Sequence, residues 1–271
     1  MRPERADIAI PEFPHTIEWL NTPFVRASML IGRKVPLVWF WDCASLNALR
    51  ALPYVREWHR RYAGTGLHVV GVHSPQFDFG RDAGVVERAA LTLDVPFDIA
   101  LDRDFEIWQL YGNEVWPSLY LWDRRGLLRH YHFGEGEYAQ SERAIQELLM
   151  EIEPEVELPE PMAPLRETDR PNALVRAPTP HQYMEEDRSP RVVEAGDELA
   201  VRYQAAVAAA VLDGAGEVEV KVDGGPSRRV RLEGPGLYTL VESPGHEEHE
   251  LRLRFLDDAR AYAFSFGPGP A

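Results

Sequence analysis

The chain offers one sulfur nucleophile, Cys43, and no second thiol to pair with it. A lone thiol can form a sulfenic acid or a mixed disulfide with a partner. It cannot close an internal disulfide or run dithiol exchange. Cys43 follows an apolar run, where a helix start would lower its pKa, and stands beside Asp42, whose charge would raise it. An inert, packed cysteine is the preferred reading, with a reactive monothiol as the alternative. Ser45 attacks a substrate only if a base is aimed at it. No such base is legible, so Ser45 is expected to cap a helix. His130 and His132 alternate and would face one side of a strand, a spacing that suits a metal. No clear partner ligands accompany them, and structural roles with no metal are expected. His73 is expected to pack or hydrogen-bond at a strand end. Glu135 and Glu137 flank Gly136 and read as a solvated turn rather than an acid/base pair. Gly-x-Gly-x-x-Gly, P-loop and Gly-x-Ser-x-Gly strings are missing. Nucleotide binding and α/β-hydrolase chemistry therefore lack support, and no cofactor is expected.

The elements that must hold these residues alternate over the first half of the chain. Val35 to Trp41 is an apolar run that reads as a buried strand. Ser45 to Arg61 follows as a helix, with a kink expected at Pro53. Leu67 to Val72 is a second strand, Asp82 to Leu93 a helix, Phe97 to Leu101 a short strand and Phe105 to Tyr111 a short helix. Ser118 to Trp122 and Leu127 to Phe133 form a hairpin across Asp123-Arg124-Arg125-Gly126, and Tyr138 to Ile152 is a closing helix. This order predicts one mixed sheet with helices on both sides.

Eight of the chain's 22 prolines fall between Glu153 and Pro190, so that stretch is expected to be an extended connector. Three parts follow: residues 1–152, a connector 153–190, and 191–271. In the last part Val201, Val218, Val220, Leu251, Leu253, Phe264 and Phe266 belong to runs that alternate with polar residues. Such period-two segments between Gly, Pro and Asp turns predict an antiparallel β-sandwich. Val207 to Leu212 is alanine-rich and suits helix as well as strand.

Lys and Arg total 29 against 44 Asp and Glu, a net charge of −15 that disfavours nucleic acid and anionic membrane surfaces as partners. No run of about 18 apolar residues suggests a membrane span. The N-terminal stretch does not read as a secretory leader, so a cytoplasmic location is expected. Oligomeric state leaves no mark on the sequence.

Pro36-Leu37-Val38-Trp39-Phe40-Trp41, Val70-Gly71-Val72-His73-Ser74-Pro75, Tyr111-Gly112-Asn113, Val115-Trp116-Pro117 and His132-Phe133-Gly134-Glu135-Gly136 carry a family likeness. Together they resemble the TlpA-like thioredoxin domain that ends DipZ-type proteins. The likeness runs on through Gly236-Leu237-Tyr238-Thr239-Leu240-Val241 and Ala261 to Gly267, which resemble the carbohydrate-binding-module-like sandwich that follows it there. The resemblance implies an α/β thioredoxin-like fold plus an all-β antiparallel sandwich. It also implies a C-x-N-C motif at the start of the first long helix. Asn47 keeps the family's asparagine, while Ser45 and Ala48 stand at the two cysteine positions. Trp116-Pro117 matches the family's cis-proline site, which pairs with extended peptides. The resemblance thus implies a binding site formed by Trp41, Asn47, Trp116 and Pro117, with an extended peptide or protein as partner. The expected function is a non-catalytic binding or scaffolding module. A monothiol oxidoreductase acting through Cys43 and a carbohydrate-binding sandwich are the alternatives. The sandwich aromatics sit mostly at core-facing positions, which weakens the case for sugar stacking.

Overall fold

The computed structural model describes Met1 and residues 7–270. The chain divides into two compact units. One holds Met1–Pro75 and Gly80–Pro171, the other Gln76–Phe79 and Asn172–Ala271.

The first unit runs β1 (Glu18–Leu20), α1 (Ala27–Leu30), β2 (Val35–Trp41), α2 (Leu46–Tyr62), β3 (Leu67–His73), α3 (Ala83–Thr92), β4 (Asp98–Leu101), α4 (Glu106–Leu110), β5 (Ser118–Trp122), β6 (Leu128–Phe133) and α5 (Tyr138–Ile152). Its sheet has the order β1-β4-β3-β2-β5-β6. The β2–β3 and β3–β4 pairs are parallel, and the others antiparallel. Every residue of β2 is buried. That is why Val35 to Trp41 reads as one continuous apolar run: a central strand covered on both faces has no side left for polar residues. Val38 and Phe40 pack with Val70, Val72, Ile107 of α4 and Tyr120 on one face. Leu37, Trp39 and Trp41 alternate onto the other. Ser45 and Asp82 start α2 and α3, each accepting the N–H three residues on. Pro53 lies inside α2, where its missing N–H leaves one rung of the helix ladder unmade.

The expected connector divides between the two units rather than standing between them. Its first half is held on the first unit by hydrogen bonds to its backbone. Gln146 Nε2 donates to the Pro159 carbonyl at 2.9 Å, and the Met162 N–H to Glu142 Oε2 at 2.8 Å. The Leu165 N–H donates to the Tyr54 hydroxyl at 2.7 Å. Proline stops helix and strand there, but it leaves carbonyls and the non-proline amides free for side chains of α2 and α5. The second half contributes β7 (Val175–Arg176) and β8 (Gln182–Tyr183) to the second unit.

The second unit continues with β9 (Arg191–Val193), β10 (Glu198–Val222), β11 (Arg228–Glu233), β12 (Gly236–Phe255), β13 (Ala259–Gly267) and β14 (Gly269–Pro270). All its pairings are antiparallel. Leu253 pairs with both Leu199 and Val220, so the long β10 turns back across its register shifts and the sheet wraps around one core. Val201, Tyr203, Val218, Val220, Leu251, Phe255, Phe264 and Phe266 meet there. The ambiguous segment, residues 207–212, is strand. Ala208 and Ala210 pair with β12 on one side and β13 on the other. Hydrogen bonding on both edges, with methyl-sized side chains between neighbouring strands, overrides the helix propensity of alanine.

Candidate functional site

The C-terminal ends of β2 and β3 lie side by side, with Trp41 in register with His73. The turn after β2 therefore carries Asp42 and Cys43 over the His73 ring. Asp42 Oδ2 lies 3.4 Å from His73 Nε2, and both side chains are 1% exposed. The Cys43 N–H donates to the same nitrogen at 3.3 Å. Asp42 Oδ1 accepts the Ala44 N–H at 2.8 Å, which fixes the turn that leads into α2. Cys43 is buried, and burial followed by the Asp42 charge pushes its thiol well above the ordinary range. Burial pushes the His73 imidazole down to about 3, so the ring is neutral. The three side chains resemble a nucleophile–base–acid set in composition but not in arrangement. In a working triad the acid takes the nitrogen opposite the nucleophile. Here Asp42 faces Nε2, the nitrogen that already receives the Cys43 amide.

Ser45 forms the N-cap of α2, with Oγ accepting the Ala48 N–H at 3.4 Å, and Ala48 is fully buried. The expected capping role is what this geometry supplies. Asn47 is exposed on the first turn of the same helix. Trp41 is wholly buried, stacked on Trp39 at 5.5 Å and edge-on to His73 at 5.2 Å. It was expected to line the binding surface. An indole with no solvent-facing surface can only support that surface from within. The Trp116–Pro117 peptide bond is cis. Trp116 is half-buried. Its Nε1–H donates to the Ser74 carbonyl at 2.8 Å, and its ring lies against Trp108 at 4.2 Å. Ser74 in turn donates to Asp102 at 2.8 Å, and Asp102 accepts the Ile107 and Trp108 amides of α4 at 2.9 Å each. One chain of hydrogen bonds thus ties the proline loop to the ends of β3 and β4. The Gly134 N–H donates to the Pro117 carbonyl at 2.8 Å, closing the loop against the end of β6.

A family described as "Thioredoxin like C-terminal domain" matches residues 182–267 in the second unit. Thiol-disulfide oxidoreductase YkuV of Bacillus subtilis is 31% identical over 144 residues, covering 53% of this chain and 96% of YkuV. This chain belongs to the thioredoxin-like family. Protein DipZ of Mycobacterium bovis is 38% identical over 176 residues, covering 64% of this chain and 25% of DipZ. The chain therefore spans about a quarter of the length of its DipZ relatives. The solution structure of a thioredoxin-like protein in its oxidised form has a TM-score of 0.46 at 29% identity, over 56% of this chain and 95% of that one. The thioredoxin-like domain is accompanied by a second, largely antiparallel β-sheet region. Among the described residues no helix is long and apolar enough to cross a membrane.

Other sites expected in this thioredoxin-like chain separate. The two strand histidines take different partners. His130 Nε2 meets Ser141 Oγ at 3.1 Å and its Nδ1 the N-terminal amine at 3.3 Å, while His132 Nε2 meets the Glu135 carbonyl at 3.4 Å. Glu135 corrects the solvated-turn expectation. Its carboxylate is 17% exposed and pairs with Arg50 Nε at 2.7 Å, and burial raises its pKa despite that partner. Glu137 is exposed, as expected. The clustering of Asp42, Cys43 and His73 was missed. The signal that could have joined them is the parallel pairing of two apolar runs, which sets the residues following one beside the last residue of the other.

Proposed function

We propose that this thioredoxin-like chain has given up dithiol chemistry and serves as a peptide- or protein-binding module. The observation that carries this reading is the state of its only thiol. Cys43 is buried and held in the thiol form, and the helix start that would activate a thiolate presents a serine cap and an alanine methyl. The family resemblance implies that Ser45 and Ala48 stand at the motif's two cysteine positions, with its asparagine kept as Asn47. A monothiol oxidoreductase would need Cys43 accessible and acidic, and burial opposes both. In the second unit Tyr203, Phe255, Phe264 and Phe266 are committed to the core, so sugar stacking has no platform among them, and a structural or docking role suits that unit better.

The binding surface we assign lies at the cis proline. Backbone groups of Trp116 would pair with an extended chain, as a sheet edge pairs with a strand, with Pro117 fixing the loop that presents them. Val115 (38% exposed) and Leu110 (51% exposed) supply apolar contacts in the same stretch of sequence, and Asn47 an exposed amide. The test has two parts. Insulin reduction by the wild type should show no turnover above buffer, and the Cys43→Ala variant should behave alike. Amide shifts in an NMR titration with reduced, alkylated insulin B chain should move at Asn47, Val115, Trp116 and Ser118. Turnover that disappears on Cys43→Ala would establish the monothiol enzyme instead. A titration with no shifts at these residues would remove the peptide-binding reading.

A further inference from the structure

We propose that Asp42, Cys43 and His73 form a site for one thiophilic divalent cation of the zinc class. A sulfur, a ring nitrogen and a carboxylate oxygen from these residues all lie within 4.8 Å of one another, and all three residues are buried. The Asp42 Oδ2 to His73 Nε2 separation is 3.4 Å. Two donors each about 2.0–2.1 Å from a tetrahedral ion stand about 3.3–3.4 Å apart. The separation fits a shared ion as well as it fits a long hydrogen bond. The donor set also selects the metal. Calcium and magnesium take oxygen ligands, whereas a mixed thiolate, imidazole and carboxylate set suits zinc and its neighbours.

The scaffold holds the donors rather than leaving them to find one another. Register between β2 and β3 fixes His73 beside Trp41, and the Ala44 amide on Asp42 Oδ1 sets the turn that brings Cys43 round. Gly80 closes the remaining side. A Cβ there would stand 3.4 Å from both Asp42 Oδ2 and His73 Cε1, and 2.9 Å from the Pro75 Cβ. A side chain at residue 80 would crowd these two donors, so glycine there keeps their approach clear of a substituent. Binding breaks the Cys43 S–H bond and forms an S–metal bond, and the proton leaves to solvent. The cation takes Nε2 in place of the 3.3 Å contact from the Cys43 amide. Three protein donors leave the fourth tetrahedral position for water.

The probe is cobalt(II), added to the reduced, metal-free full chain. Cys43 is the chain's single cysteine, so a thiolate-to-cobalt charge-transfer band in the near ultraviolet reports this site alone. Surface histidine–carboxylate pairs that collect metal give no such band. The expected result is a band saturating at one cobalt per chain, with about one proton released, and loss of the band on adding zinc. Cys43→Ser should abolish it. Asp42→Asn and His73→Gln should each weaken it at least tenfold, with far-ultraviolet circular dichroism showing that they fold. If His73→Gln does not fold, Asp42→Asn decides. A folded wild type that gives no band overturns the proposal, and so does a band whose midpoint is the same in Asp42→Asn as in the wild type. Peptide binding at Trp116–Pro117 is read separately, so either proposal can fail without the other.

Discussion

Placing two thiols at the head of α2 tests whether Ser45 and Ala48 stand at the motif's cysteine positions, on which the proposed function rests. Ser45→Cys with Ala48→Cys, made in a Cys43→Ala background, leaves only the new pair. Residues three apart in an ideal helix have Cα atoms about 5 Å apart, inside the roughly 4.4–6.8 Å window of disulfides. Ser45 Oγ already lies 3.4 Å from the Ala48 amide, so a sulfur in its place hangs over the residue it must reach. Closing so short a loop should stabilise the oxidised form over the reduced by about 2 kcal/mol in the chain-entropy account. For a chain of this size that is about 4–8 °C in the transition of the first unit. Losing the Ser45 cap costs about 0.5–1 kcal/mol, given its long hydrogen bond. Fitting a sulfur at the fully buried Ala48 costs about 1–3 kcal/mol more. Both costs fall on the two redox forms alike and cancel in the difference. The assay is thermal unfolding with and without reductant, alongside thiol counting after equilibration with oxidised glutathione. Two thiols that stay free, or pair only between chains, would refute the placement of Ser45 and Ala48 at the motif positions.

Three further perturbations follow from the same structure. Tyr54 donates to Asp169 Oδ2 at 2.6 Å and accepts the Leu165 N–H at 2.7 Å. Tyr54→Phe should therefore destabilise the first unit by about 2–3 kcal/mol in urea unfolding and speed amide exchange at Leu165. A loss under about 0.5 kcal/mol would show that residues 159–169 are not held by these bonds. Gly71→Ala should cost about 1–3 kcal/mol, because a Cβ there meets Phe97 Cε2 at 2.8 Å and Trp41 Nε1 at 3.1 Å. A variant as stable as wild type, with unshifted tryptophan emission, would contradict that packing. His181 hydrogen-bonds Ser265 at 2.9 Å, and burial, then the Arg188 charge, push it down to about 4 from the usual 6.5. A depressed histidine resists protonation in the fold, so its contribution is complete above pH 6.5 and is lost as pH falls towards 4. The second unit should lose about 2 kcal/mol by pH 5 from this residue. His181→Gln should flatten that part of the stability profile, and an unchanged slope would count against it.

Much of the architecture was legible before any coordinates. Val35 to Trp41 could only be a central strand, because seven residues with no polar face need cover on both sides. Ser45 and Asp82 announced helix starts because a short oxygen-bearing side chain satisfies amides that the helix cannot. Period two in the last third announced an antiparallel sheet, because alternate residues of a half-buried strand meet opposite solvents. The single cysteine excluded an internal dithiol outright, since that is a count and needs no geometry.

The rest depended on residues distant in sequence meeting in space. Residues 153–171 read as part of an extended connector because prolines report what a backbone cannot do, not which side chains will bind it. Their attachment came from Tyr54, Glu142 and Gln146, far away in the chain. Residues 207–212 were undecided between two local preferences until two neighbouring strands supplied hydrogen bonds on both edges. Trp41 passed for a surface residue because a motif says where a side chain stands, while neighbours in three dimensions say whether water reaches it. Asp42, Cys43 and His73 gave no shared pattern, since a side-chain cluster is created by strand register, and register is a property of the folded sheet.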